Sequence, residues 1–95
     1  MRFEWDDQKA RENFKKHGVT FGEATEVFYD PNAIEDYDAG HSVGEARFVI
    51  IGLSSRRLLY VVYAERAADL VRIISARKAD KAEHEFYERT RTINL

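Results

Sequence analysis

Residues 58–64 read Leu-Leu-Tyr-Val-Val-Tyr-Ala, and residues 70–76 read Leu-Val-Arg-Ile-Ile-Ser-Ala. β-Branched, aromatic and aliphatic side chains of this density suit a pleated, largely buried surface. The short polar stretch between the two runs predicts a pair of adjacent strands joined by a turn. Both strands finish in charge. The first runs into Glu65 and Arg66, and the second into Ser75, Arg77 and Lys78. A rigid platform with cations at its rim suits a polyanion, because strands hold functional groups more precisely than loops do.

The rest of the chain predicts what packs on that pair. Residues 2–5 form a short strand, with Phe3 and Trp5 on one face. Asp6 is placed to cap a helix running to about His17, where Gly18 suits a left-handed end. Ala10, Phe14 and His17 share one helical stripe. Thr20-Phe21-Gly22-Glu23 is a capping box opening a second helix, with Ala24, Val27 and Phe28 as its buried stripe. Pro31 stops it. Residues 33–38 read as an acidic edge strand, 39–44 as a turn, and 45–53 as a further strand. Residues 54–56 then turn into the central pair. Asp80 and Glu83 open a last helix, packed by Ala82, Phe86 and Tyr87. The expectation is a single α+β domain over residues 1–95. Two N-terminal helices and a C-terminal helix pack on a mainly antiparallel sheet of about four to five strands.

Ninety-five residues support one modest core. The chain has no cysteine, which excludes disulfides and thiolate metal sites. No run reaches the roughly 18 apolar residues of a membrane span, and no basic-then-apolar leader opens the chain. A cytoplasmic protein is expected. Net charge is −2, but residues 1–45 hold five Lys/Arg against eleven Asp/Glu, whereas residues 46–95 hold ten against six. That asymmetry is compatible with one basic face for a polyanion, and equally with solvated faces on an ordinary acidic protein.

Candidate chemistry follows from residue type. Histidine is the residue type suited to proton transfer near neutral pH, and His17 ends a helix, so it is either an acid or base or simply a cap or a ring stacked on Trp5. Glu45 and Arg47 share a strand face, where an ion pair would hold the guanidinium, and His41 precedes them in the turn. The three could be metal ligands only if Asp38 joined them, their spacing matches no strong metal pattern, and arginine is a poor ligand. A metal-free ribonuclease needs one group to deprotonate the 2′-hydroxyl and one to protonate the leaving oxygen. It also needs cations around the phosphorane. Glu65, His17 and Tyr87 are candidates for proton transfer, and Arg47, Arg66, Arg77 and Lys78 for anion binding. The alternative is that these charges terminate strands and pair with acids.

Phe3-Glu4-Trp5-Asp6, Asn13 and Lys16-His17-Gly18-Val19-Thr20-Phe21-Gly22-Glu23-Ala24 resemble the opening of the BrnT family of bacterial type II toxins. The likeness continues through His41, Glu45-Ala46-Arg47, Val62-Tyr63-Ala64-Glu65-Arg66 and Arg72-Ile73-Ile74-Ser75-Ala76-Arg77-Lys78-Ala79, and ends with Glu83 and Tyr87. Ala64 and Asp80 depart from it, standing where threonine is common. The resemblance implies a RelE-like fold and a cofactor-independent ribonuclease that cleaves messenger RNA and arrests translation. It carries over His17, His41, Glu45, Arg47, Glu65, Arg66, Arg77 and Tyr87 as functional positions. It also implies a BrnA-like ribbon-helix-helix antitoxin, in a two-plus-two complex binding operator DNA through the antitoxin. The competing expectation is a non-catalytic, partner-binding module in such a repressor complex.

Overall fold

The computed structural model describes residues 1–42 and 44–93. Val43, inside the predicted turn, lies outside the described residues. In chain order the elements are β1 (Arg2–Glu4), α1 (Asp7–His17), α2 (Phe21–Glu26), β2 (Ile34–Tyr37), β3 (Phe48–Leu53), β4 (Leu58–Ala67), β5 (Leu70–Lys78) and α3 (Lys81–Ile93). Single 3-10 turns follow α2 at Val27–Tyr29 and β2 at Ala39–His41. The strands form one sheet in the order β1-β5-β4-β3-β2. β2 to β5 are an antiparallel meander, and β1 adds to β5 in parallel.

Local signals set the helix ends as expected. The Asp6 carboxylate accepts from the Lys9 amide at 2.9 Å, and Gly18 closes α1 at φ 69°. Thr20 Oγ1 accepts from the Glu23 amide at 3.0 Å. The reciprocal half of that capping box does not form. The Glu23 carboxylate turns inward instead, accepting from Arg57 at 2.8 and 3.0 Å and from Ser54 at 2.7 Å. A paired, desolvated carboxylate gains more from a guanidinium than from one backbone amide.

The two faces of the sheet are covered unequally. α1, α2 and the first 3-10 turn cover one face, with Phe21, Val27, Ile50, Leu59, Val61 and Tyr63 in the main core. Gly52 lets that turn approach β3: a Cβ there would lie 3.1 Å from Val27 and Ala33. α3 covers one end of the other face, where Tyr87, Ile51 and Leu58 form a smaller cluster. The remainder of that face is open.

Two expectations about helix faces and one about a strand start are corrected. On α1 the buried residue is Asn13, whereas Phe14 is 55% exposed. β1 pairs with β5 only from Leu70 to Arg72, so β5 has an open edge at Ala76. The Asn13 side chain accepts from Ala76 N at 3.0 Å and donates to Ala76 O at 2.8 Å, as a neighbouring strand would. It also donates to Val19 O. On α3, Ala82 and Phe86 are exposed and Tyr87 alone of the predicted trio is buried. Finally, β3 starts at Phe48 rather than at Glu45, because Ser42 Oγ takes the Arg47 amide away from the ladder.

Candidate active site

Directly paired residues on neighbouring strands point to the same face of a sheet. The face that α3 half covers therefore carries successive cross-strand rows. One row is Ile34, Ile51, Tyr60 and Arg77. The next is Asp36, Val49, Val62 and Ser75, and a third contains Ala64, Arg72 and Glu4. A bulge sets Ile74 and Ser75 against Val62 and keeps the arginines in phase on either side of it. Arg47 joins the third row from the loop, its carbonyl accepting from the Asp38 amide at 2.8 Å.

Three of the four arginines on this face are held by acids. Arg77 donates through both terminal nitrogens to Glu83 at 2.8 Å, and its guanidinium carbon lies 3.9 Å from the Tyr60 ring centroid. Arg66 donates to Glu45 at 2.6 Å, and Arg72 to Glu4 at 2.9 Å. The Arg66 hydrogen bond holds the Glu45 carboxyl below the usual carboxylate range, with further help from the charges of Arg72 and Arg47. Arg47 has no ion pair among the described residues. These guanidiniums present forks that a phosphate can take over from carboxylates of like geometry.

A histidine sits at the edge of the same face. The 3-10 turn after β2 brings His41 Nδ1 within 3.1 Å of both Asp38 carboxylate oxygens. A proton on Nδ1 satisfies that contact and leaves Nε2 as an acceptor, on a side chain 75% exposed. Nucleophile-activating bases are commonly oriented by a third group in this way.

The predicted site residues do not all converge. Glu65 pairs with Val71 and lines a small cleft with Phe28 and Tyr63, on the helix-covered face. Lys78 pairs with Leu59 and shares that side. His17 ends α1 in the helix layer, half-buried. Tyr87 is 1% exposed and donates its hydroxyl to Asp30 at 2.7 Å. Burial and that bond push its phenol up to about 12, which suits a structural tie rather than a proton donor to RNA. Arg66 and Arg77 share a face, but six residues of β4 separate Arg66 from Tyr60, the partner of Arg77. That is about 20 Å at ~3.3 Å per residue. Arg66 and Arg77, grouped above among the anion binders, therefore do not meet on one phosphate: the antiparallel pairing sends the two strand ends in opposite directions.

Arg72, Asp38, Tyr60 and Glu83 were missed as site residues. A charge at an alternate position inside the apolar run 70–76 was a usable signal for Arg72, and Asp38-x-x-His41 was one for the acid–histidine pair.

No helix among the described residues is long and apolar enough to cross a membrane. No curated protein matches the chain. The fold is similar to that in the 1.1 Å crystal structure of the Brucella abortus ribonuclease toxin, BrnT, with a TM-score of 0.65. The two are 23% identical, and the match covers 85% of this chain and 99% of that one. The family model described as "Ribonuclease toxin, BrnT, of type II toxin-antitoxin system" matches residues 5–83. The chain therefore belongs to the BrnT family of ribonuclease toxins.

Proposed function

We propose that the chain is an endoribonuclease that cuts messenger RNA in the cytoplasm without a metal ion, using the open sheet face. The observation that carries this reading is the placing of Arg47, Arg66, Arg72, Arg77 and the His41–Asp38 pair on the one face that α3 only half covers. RNA laid along the rows meets a guanidinium at either end. His41 Nε2 takes the proton of the 2′-hydroxyl, and the 2′-oxygen attacks the adjacent phosphorus. The bond to the 5′-oxygen breaks, and that oxygen takes a proton from solvent. Arg47 and Arg72, or Arg77 at the other end, neutralise the charge gathering on the phosphorane. Three carboxylates on this face, Glu4, Glu45 and Glu83, already pair with arginine, which favours cation-assisted over metal-assisted chemistry.

A type II family implies an antitoxin partner. We infer that it is a BrnA-like ribbon-helix-helix protein. A ribbon-helix-helix domain forms its strand pair only as a dimer, so a two-plus-two complex that binds operator DNA through the antitoxin follows naturally.

The same ion pairs also favour a second reading, a partner-binding module without turnover, since three of the arginines are neutralised at rest. Cleavage of a purified RNA by the isolated chain in EDTA separates the two. Cutting that survives EDTA supports the ribonuclease; a folded chain that cuts neither naked RNA nor RNA in a translation extract supports the module.

A further inference from the structure

The open face ends in a cleft of about 440 Å³ that adjoins the groups assigned to the phosphate chemistry. It lies between the β2 edge and α3, lined by Ile34, Asp36, Val49, Tyr60 and Phe86 among others. Its volume is within the range of small-ligand sites. The floor is apolar and two of its walls are aromatic. Phe86 is 43% exposed, although it sits one residue before the buried anchor of α3. Tyr60 also carries the Arg77 guanidinium. A nucleotide whose phosphate met Arg77 would thus have an aromatic slot within reach of its base.

The acids around the cleft are not equivalent. Glu35 accepts from the buried Tyr63 hydroxyl at 2.7 Å, and its strand partner Ile50 belongs to the other face. Asp38 is engaged by His41. Asp36 pairs with Val49 on the open face, is exposed, and among the described residues its carboxylate accepts one hydrogen bond, from the Tyr37 amide to Oδ1. It is the acceptor available to a ligand.

We infer that this cleft is a nucleobase subsite that selects guanine, with Phe86 and Tyr60 stacking the base and Asp36 reading its edge. A carboxylate is acceptor-only and offers two oxygens side by side. Guanine presents two adjacent donors, N1–H and the N2 amino group. Adenine and cytosine place a ring-nitrogen acceptor next to their amino group, and uracil flanks N3–H with two carbonyls. Only guanine meets the carboxylate without opposing a lone pair to it. Stacking is tolerant of base identity, so it supplies affinity while Asp36 supplies selection.

This inference rests on the reading of the open face as an RNA site, and its test separates the two. The full chain is titrated with the four nucleoside 5′-monophosphates by two-dimensional NMR, and cut sites in one RNA are mapped in parallel. Guanosine monophosphate is expected to bind at least fivefold more tightly than the others and to shift Phe86 and Tyr60. Asp36→Asn is expected to erase that preference in binding and in cut sites, and Phe86→Ala to weaken all four nucleotides. Equal binding of the four, shifts confined elsewhere, or no binding overturns the guanine subsite. Cleavage that persists alongside any of those results leaves the ribonuclease reading standing. Guanine selectivity in a chain that never cuts RNA supports the subsite and removes the ribonuclease.

Discussion

The Arg77 guanidinium lies 3.9 Å from the Tyr60 ring centroid, and the two residues are direct partners across β4 and β5. The ring fixes the plane of the fork, and Glu83 fixes its direction through two bonds of 2.8 Å. A phosphate approaching from the open face meets a cation that is already oriented, which lowers the ordering cost of binding it.

Glu83→Gln keeps the guanidinium and removes the charge that neutralises it. RNA affinity is expected to rise severalfold at low salt and the gain to shrink as salt is added, since one competing carboxylate is gone. Filter binding across a salt series checks this. Folding stability should fall by about 1 kcal/mol, because the pair also ties α3 to β5 and is partly exposed.

Tyr87→Phe separates a structural from a catalytic tyrosine. The phenol is buried and its hydroxyl holds Asp30, which in turn accepts from the Leu53 and Asn32 amides. Loss of the hydroxyl is expected to cost about 1–2 kcal/mol in urea denaturation. RNA cleavage per folded molecule should stay within about twofold of wild type.

Asn13→Ala strips the strand-like partner from Ala76. Both polar groups of that peptide would be left buried without it, so a loss of about 2–4 kcal/mol is expected. Asn13→Asp should be no better, because a carboxylate cannot donate to Ala76 O or Val19 O. Chemical denaturation of the two variants measures it.

Acid should reach the fold through Glu23. Hydrogen bonds from Arg57 hold this carboxyl below its ordinary value of 4.5, against burial and with help from Ser54. A carboxyl lowered in the folded state contributes stability that is full above the unfolded pKa and lost as pH falls through the folded one. Unfolding free energy is therefore expected to decline from about pH 5 downward. Glu23→Gln should be less stable at pH 7 and show a flatter acid limb, because the group that gains a proton is gone. Urea melts at several pH values report both slopes.

Much of the architecture was legible because it is written locally. Asp6, Gly18 and Thr20 mark helix ends by their own hydrogen bonding and backbone freedom, and the runs at 58–64 and 70–76 could only be strands. Their facing was not legible. Val61 and Val62 are both apolar, so alternation alone does not say which side carries the arginines. That is settled by the pairing of Ala64 with Arg72 and by the bulge at Ile74. Proximity in sequence also misled. Glu65 and Arg66 are neighbours, yet Glu65 pairs with Val71 on the helix side while Arg66 reaches Glu45. Asn13 was hidden for another reason: a polar residue buried to complete a strand edge has no signature in helical periodicity.

The central claim is that the open sheet face cuts RNA, and Arg77 tests it most directly. The measurement is the cleavage rate of one purified RNA by wild type, Arg77→Ala, Arg77→Lys and, on the opposite layer, Lys15→Ala, each verified as folded by circular dichroism. The account predicts a loss of about a hundredfold or more for Arg77→Ala. Partial recovery is expected for Arg77→Lys, which keeps the charge without the fork, and no change for Lys15→Ala. A folded Arg77→Ala protein that cuts at the wild-type rate would contradict it.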